Sequence, residues 1–221
     1  MCGITGAVWL DPRQAIDASR LSKMTDTIAH RGPDDSQTWI DTDHHDAYGR
    51  RVGVGLGFRR LSIIDLAGAR QPMANEDGTV RMVFNGEIYN YQTLRRRLEG
   101  GRHRFATHGD GESILHLYED VGTDCFSHLN GMFAIAIWDA NRNRLVLARD
   151  RIGQKPLYYA LKDERLVFGS ELKCLVAAGG VCEEIDPAAI DEFLTYQYIP
   201  HPSTIWKGER KFPPGHFAVF E

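Results

Sequence analysis

The apolar positions of this chain switch repeatedly between strand-like and helix-like spacing, and the switches divide it into short elements. Gly3-Ile4-Thr5-Gly6-Ala7-Val8-Trp9-Leu10 is apolar and β-rich, and reads as a buried strand beginning almost at the amino terminus. Leu21, Met24 and Ile28 fall on one helical face, predicting a helix from Asp17 to Ile28. It ends in the turn-rich stretch His30-Arg31-Gly32-Pro33-Asp34. Val52-Gly53-Val54-Gly55-Leu56-Gly57-Phe58 alternates glycine with apolar residues and continues as strand through Arg60 to Ile64. With no helix behind it, this G-x-G-x-G spacing predicts a strand closely approached on its glycine face, not a phosphate-binding loop.

Met82-Val83-Phe84 is a short strand running into Asn85-Gly86-Glu87. Asn-Gly by itself favours a hairpin. Behind it, however, Tyr91, Leu94 and Leu98 share a helical face, with Asn90 as a cap and Gly100-Gly101 as the stop. Asn85-Gly86 is therefore expected on a strand-to-helix turn, with an amide and a backbone N–H pointing outward. A second helix, Glu112 to Val121, follows Asp110-Gly111, where a carboxylate could simply cap the helix. Further on, Met132–Trp138 pairs with Leu145–Ala148, and Pro156–Leu161 with Leu166–Phe168. Leu172–Ala178 is helical, and Asp186-Pro187 opens a helix reaching Thr195. The proline-rich tail suits a linker or domain edge. Strands arriving as hairpins with helices between them predict antiparallel sheets layered with helices, an α+β architecture.

Composition narrows the function. The 221 residues carry a net charge of −4, which excludes a basic nucleic-acid-binding or anionic-membrane surface. No apolar run approaches the roughly 20 residues of a membrane helix, and no signal peptide precedes the first strand. Cys2, Cys125, Cys174 and Cys182 form no C-x-x-C pair, so a reduced, cytoplasmic and metal-free chain is expected. Asp43-His44-His45-Asp46 reads as a solvated polar loop rather than a metal site.

Candidate chemistry starts at Cys2. Initiator removal favours small second residues, and loss of Met1 would leave one residue carrying both a thiol and a free α-amine. A free thiol titrates at about 8.5 and an α-amine at about 7.7–8.0, so near neutrality the amine can take the thiol's proton. That is a nucleophile with its base attached. A terminus leading straight into a core strand is held rather than frayed.

Taken together, Cys2-Gly3-Ile4, His30-Arg31-Gly32-Pro33-Asp34, Arg60-Leu61-Ser62-Ile63, Asn85-Gly86-Glu87-Ile88-Tyr89-Asn90, Gly131-Met132-Phe133-Ala134, Arg149-Asp150-Arg151-Ile152-Gly153, Lys155-Pro156-Leu157-Tyr158 and Gly169-Ser170-Glu171-Leu172-Lys173 resemble the glutaminase domain of class II glutamine amidotransferases, within the N-terminal-nucleophile hydrolases. The chain is most similar to the asparagine synthetase (glutamine-hydrolysing) branch, over essentially residues 1–221. The resemblance implies a four-layer αββα sandwich of two antiparallel sheets. It implies Cys2 as nucleophile, with the Asn85 amide and Gly86 N–H as oxyanion hole. Arg60 would hold the α-carboxylate of L-glutamine and Asp110 its α-ammonium, with Glu87 beside it and backbone groups of Leu61 and Ile64 in contact. Many relatives read Ser-Asp-Thr-Glu where this chain reads Gly109-Asp110-Gly111-Glu112; the carboxylates remain, and only the stiffness of the loop is expected to differ.

The branch continues into an ATP-dependent synthetase domain with a Ser-Gly-Gly-x-Asp loop that does not occur here. The resemblance thus implies an isolated domain or fragment with no cofactor of its own, ATP and Mg²⁺ belonging to the synthetase part. Ammonia would pass to that partner, with aspartate or a related carboxylate as acceptor; a homodimer is left open. Two competing readings remain, an acylase acting on another amide and a glutamine-binding regulatory module with an idle nucleophile.

Overall fold

The computed structural model describes residues 1–46, 48–61, 70–101, 103–181 and 184–221. Its framework is two antiparallel sheets stacked face to face. The first contains β1 (Gly3–Trp9), β2 (Asp35–His45), β3 (Arg51–Arg60), β8 (Tyr158–Lys162), β9 (Arg165–Gly169) and β10 (Glu209–Lys211), in the order β10-β8-β9-β1-β3-β2. The second contains β4 (Met73–Ala74), β5 (Val80–Ile88), β6 (Gly131–Asp139), β7 (Arg144–Arg149) and β11 (Phe217–Phe220), in the order β11-β7-β6-β5-β4. Helices α1 (Ala18–Asp26) and α5 (Leu172–Ala178) cover the outer face of the first sheet, and α2 (Tyr91–Glu99) and α3 (Gly111–Val121) that of the second. The short α4 (Cys125–His128) and the peripheral α6 (Pro187–Tyr196) complete the chain. The four layers expected from the resemblance are present.

Side-chain parity explains the layering, because successive residues of a strand face opposite sides. On β6, Ala134, Ala136 and Trp138 enter the core between the sheets, while Phe133, Ile135 and Ile137 face α2 and α3. On β1, Ile4 and Val8 face inward, and Ala7 and Trp9 face α1 and α5. Burying each large apolar side chain in these three clusters contributes about 1.5–3 kcal/mol.

Glycine alternation on β3 has the same origin. Val52, Val54, Leu56 and Phe58 fill the inter-sheet core, which turns Gly53, Gly55 and Gly57 toward α1 and Trp9. A Cβ at Gly57 would fall on the Thr25 hydroxyl, and one at Gly55 would lie 3.2 Å from Leu21. The run is a close-packing surface, as its spacing predicted.

Three expectations change. Asn85-Gly86 does not sit on a turn: both residues lie within β5, paired with Ala134 and Phe133 of β6, and the chain turns only at Tyr89-Asn90. The β6 strand, distant in sequence, extends the ladder past the point where local turn chemistry would end it. Asp43-His44-His45 is not a loop but the end of the edge strand β2, with Asp43 inside a bulge between Asp41 and His44. The polar sequence of β2 suits an exposed edge and hides its strand character. Lastly, the proline-rich tail supplies edge strands to both sheets, β10 beside β8 and β11 beside β7.

Candidate active site

Placement of the terminal thiol begins with β1, which lies between β3 and β9 in the centre of its sheet. The Ile4 N–H donates to Ser170 Oγ at 3.0 Å, and Ser170 N–H donates to the Ile4 carbonyl at 2.8 Å. Arg31 Nε donates to the Cys2 carbonyl at 3.0 Å, and its Nη1 pairs with Glu171 at 3.1 Å. Burial opposes ionisation of Glu171, but hydrogen bonds from Lys173, His30 and Arg31 outweigh it and hold the carboxyl below its ordinary range. The backbone at Cys2 is thus fixed by ion-paired guanidinium chemistry one residue before the strand. The thiol itself remains half-buried at the mouth of a cleft between the sheets, with Sγ 3.4 Å from Leu61 N and 3.5 Å from Leu61 O.

Cys2, Arg60, Leu61, Asn85, Gly86, Glu87 and Asp110 all line this one cleft, although they come from both sheets and from the start of α3. Ile64 lies outside the described residues. Asn85 is 1% exposed, and its side-chain Nδ2 has no hydrogen-bond partner. A buried donor left unpaired costs about 1–3 kcal/mol, a cost that an oxygen of a bound ligand would remove. Gly86 has a steric reason to be glycine, since a Cβ there would strike the Met132 carbonyl of β6. Arg60 closes another side of the cleft at 8% exposure.

Asp110 is also buried. Its Oδ2 accepts a hydrogen bond from Ile88 N at 2.7 Å, so it docks α3 against β5 instead of capping its own helix. Burial pushes its carboxyl above the ordinary value, and the nearby Glu87 carboxylate pushes in the same direction. Two carboxylates at the wall of a cleft, one of them penalised for its charge, form a receptor for a cation.

Sequence reasoning missed two further lining residues. Gln71 clamps β5 through its side chain, with Phe84 N donating to Gln71 Oε1 at 2.6 Å and Gln71 Nε2 donating to Phe84 O at 3.1 Å. Lys155 is 5% exposed; burial, then the Arg31 charge, lowers its pKa, and its Nζ lies 3.1 Å from Met1 Sδ. Lys155 belongs to a motif noted in the sequence, but a motif does not show that its backbone is held by Asp150 (N to Oδ2, 3.0 Å) so that the side chain reaches the cleft. Cys125 and Cys174 are buried core thiols, with Cys125 pushed up to about 12 by burial. Among the described cysteines, Cys2 lines the cleft and the other two are buried.

The cleft's donors, cation and carboxylates match the ends and the amide of a small amino acid, and comparison with known proteins agrees. A family model described as a glutamine amidotransferase domain matches residues 1–221. Asparagine synthetase [glutamine-hydrolyzing] 3 of Bacillus subtilis is 38% identical over 225 residues, covering 100% of this chain and 35% of that protein. Asparagine synthetase [glutamine-hydrolyzing] 1 of the same organism is 42% identical over 217 residues, covering 97% and 33%. The fold matches that of glutamine phosphoribosylpyrophosphate amidotransferase from B. subtilis, with a TM-score of 0.62 at 20% identity over 80% of this chain and 44% of that one. The chain spans about a third of the length of these curated relatives. It belongs to the glutamine amidotransferase domain family.

Proposed function

We propose that this domain hydrolyses L-glutamine to glutamate and ammonia through a thioester on Cys2. The observation that carries the reading is one cleft that combines a half-buried thiol with the unpartnered Asn85 amide, the Arg60 guanidinium and the buried Asp110 carboxylate. Arg60 binds the substrate α-carboxylate through its fork of donors. Asp110, with Glu87, binds the α-ammonium. These two charges select a free amino acid over an acylated or peptide-bound one, which argues against the acylase reading.

In the proposed mechanism Met1 is removed first, exposing the Cys2 α-amine. The amine takes the thiol proton, and the sulfur attacks the side-chain amide carbon of glutamine. Asn85 Nδ2 and the Gly86 N–H stabilise the oxygen that becomes negative. The ammonium returns its proton to the departing nitrogen, the C–N bond breaks, and ammonia leaves a γ-glutamyl thioester. Water, deprotonated by the same amine, attacks the thioester and releases glutamate and the thiol. No metal or cofactor is needed for these steps.

In the whole protein, we extend the proposal to an asparagine-synthetase-type enzyme. The ammonia amidates aspartate or a related carboxylate in a following synthetase domain, which binds ATP and Mg²⁺. A reduced thiol at the terminus suits the cytoplasm, and no helix among the described residues is long and apolar enough to cross a membrane. Comparison of glutamine hydrolysis by the protein and its Cys2→Ala variant tests the reading. Loss of hydrolysis with an unchanged fold is expected; turnover near that of the unsubstituted protein would overturn it.

A further inference from the structure

On the far face of the second sheet, away from the cleft, His103 and His116 lie side by side with ring centroids 4.6 Å apart. His116 comes from the middle of α3 and His103 from the segment between α2 and α3, and they are only 2% and 8% exposed. Glu76, on the turn joining β4 to β5, completes a group whose three donor atoms all lie within 4.8 Å of one another. Glu119, one helical turn beyond His116, adds a fourth donor: its Oε2 is 3.0 Å from His116 Nδ1 and 3.7 Å from His103 Nδ1. His116 Nδ1 is also 3.9 Å from Glu76 Oε2.

Adjacent donors of a tetrahedral zinc site, each about 2.0–2.2 Å from the metal, are about 3.4 Å apart. The three contacts measured here, 3.0, 3.7 and 3.9 Å, straddle that value.

The surroundings orient three of the four donors. His103 turns its other nitrogen, Nε2, to Asp120 Oδ1 at 2.9 Å. His116 Nε2 points toward Glu112 Oε1 at 3.5 Å and has no hydrogen-bond partner of its own, although it is fully buried. Glu112 is itself held by the Ala106 N–H at 2.7 Å, the Thr107 N–H at 2.8 Å and the Thr107 hydroxyl at 2.6 Å. Each imidazole thereby faces a carboxylate at Nε2 and presents Nδ1 to the same small volume. For His103 that is how metal-ligating histidines are commonly held. Asn75 Nδ2 occupies Glu119 Oε1 at 2.9 Å, leaving Oε2 for the shared volume. Phe105 packs edge-on against His116 at 4.8 Å and walls the group off.

We propose that His103, His116, Glu119 and Glu76 form a four-coordinate site for a divalent transition cation of the zinc class. Two imidazoles and two carboxylates suit zinc. All four positions are filled by protein, so the site is structural. It ties the β4–β5 turn and the segment before α3 to the helix whose first turn reaches the substrate cleft. This goes beyond the glutamine chemistry and revises the sequence expectation of a metal-free chain. The alternative is a network in which the imidazoles share protons with the carboxylates and bind nothing.

Purified whole protein, stripped with chelator, is titrated with Zn²⁺ by calorimetry and with Co²⁺ by visible absorption. Saturable binding of one ion per chain, with intense four-coordinate Co²⁺ bands, is expected. His103→Gln and His116→Gln should abolish it. Asp120→Asn, at the surface and not a ligand, should weaken it about 10- to 100-fold. Glu76→Gln, on an exposed turn where folding is not at risk, should weaken it at least as much while the melting of the metal-free protein stays unchanged. His128→Gln is the control and should bind as the unsubstituted protein does. Absence of saturable Zn²⁺ binding, or equal affinity in Glu76→Gln and the unsubstituted protein, would overturn the site. Neither result depends on glutaminase activity.

Discussion

Asp110 and Glu112 stand two residues apart at the start of one helix, both buried, and their carboxyl groups are driven in opposite directions. Around Glu112 each oxygen is satisfied: Ala106 N donates at 2.7 Å, Thr107 N at 2.8 Å and Thr107 Oγ1 at 2.6 Å, and His116 lies behind. That carboxylate is complete without a ligand, and its pKa falls to about 2. Around Asp110 burial outweighs the hydrogen bond from Ile88 N, the nearby Glu87 adds a like charge, and the carboxyl is pushed up. The same chemical group is structural at one position and receptive at the other because of what its neighbours leave undone. Burial alone does not separate the two roles; satisfaction of the charge does.

The contrast can be broken at several points. The largest effect is expected on the receptive side, at Asn85, the other cleft residue with an unmet hydrogen-bonding capacity. Asn85→Ala should lower kcat about 10²–10³-fold with little change in KM; an effect confined to KM would remove Asn85 from the oxyanion role. Asp110→Asn should weaken glutamine binding about 10–100-fold, the worth of a charge-assisted bond. Calorimetry in the Cys2→Ala background, where no turnover interferes, reads this directly. The variant should lose little stability, because the charge it removes is already penalised.

Glu112→Gln should reverse that pattern. It removes ionic hydrogen bonds worth about 2 kcal/mol, lowering the melting midpoint of the domain by about 4–8 °C with glutamine affinity nearly intact when measured in chelator. Equal effects of both substitutions on binding would erase the distinction.

Acidification gives the smallest and sharpest test. Glu112 has its ordinary value of 4.5 when unfolded and about 2 when folded, so its contribution is full above about 4.5 and is lost as the pH falls toward 2. Asp110 runs the other way: its folded value lies above 3.8, so its charge is lost at a higher pH than an ordinary aspartate's. Glutamine affinity should therefore begin to fall at a higher pH than the titration of an ordinary aspartate would give. Folding monitored against pH should lose the low-pH component in Glu112→Gln alone.

Much of this was legible in the sequence. Antiparallel sheets layered with helices followed from hairpin spacing, the four-layer arrangement from the family resemblance, and the G-x-G-x-G run correctly announced close packing. The cleft residues were found through motifs, since no periodicity could bring Cys2, Asn85 and Asp110 together across two sheets. Asn85-Gly86 was misplaced on a turn because the β6 strand that extends its ladder is remote in sequence. Strand β2 was missed because an edge strand can be polar. Gln71 gave no signal and the motif around Lys155 did not reveal its place in the cleft, because both roles depend on where folded backbone directs an otherwise ordinary side chain.

The proposed chemistry rests on Cys2 becoming a terminal nucleophile inside a glutamine-shaped cleft. The most direct measurement is the intact mass of the purified protein before and after reaction with a glutamine-analogue electrophile such as diazo-oxo-norleucine. Loss of Met1 and a single adduct on Cys2, blocked by excess glutamine, are expected. Retained Met1 with no adduct would contradict it, leaving a cleft that binds glutamine but cannot cleave it.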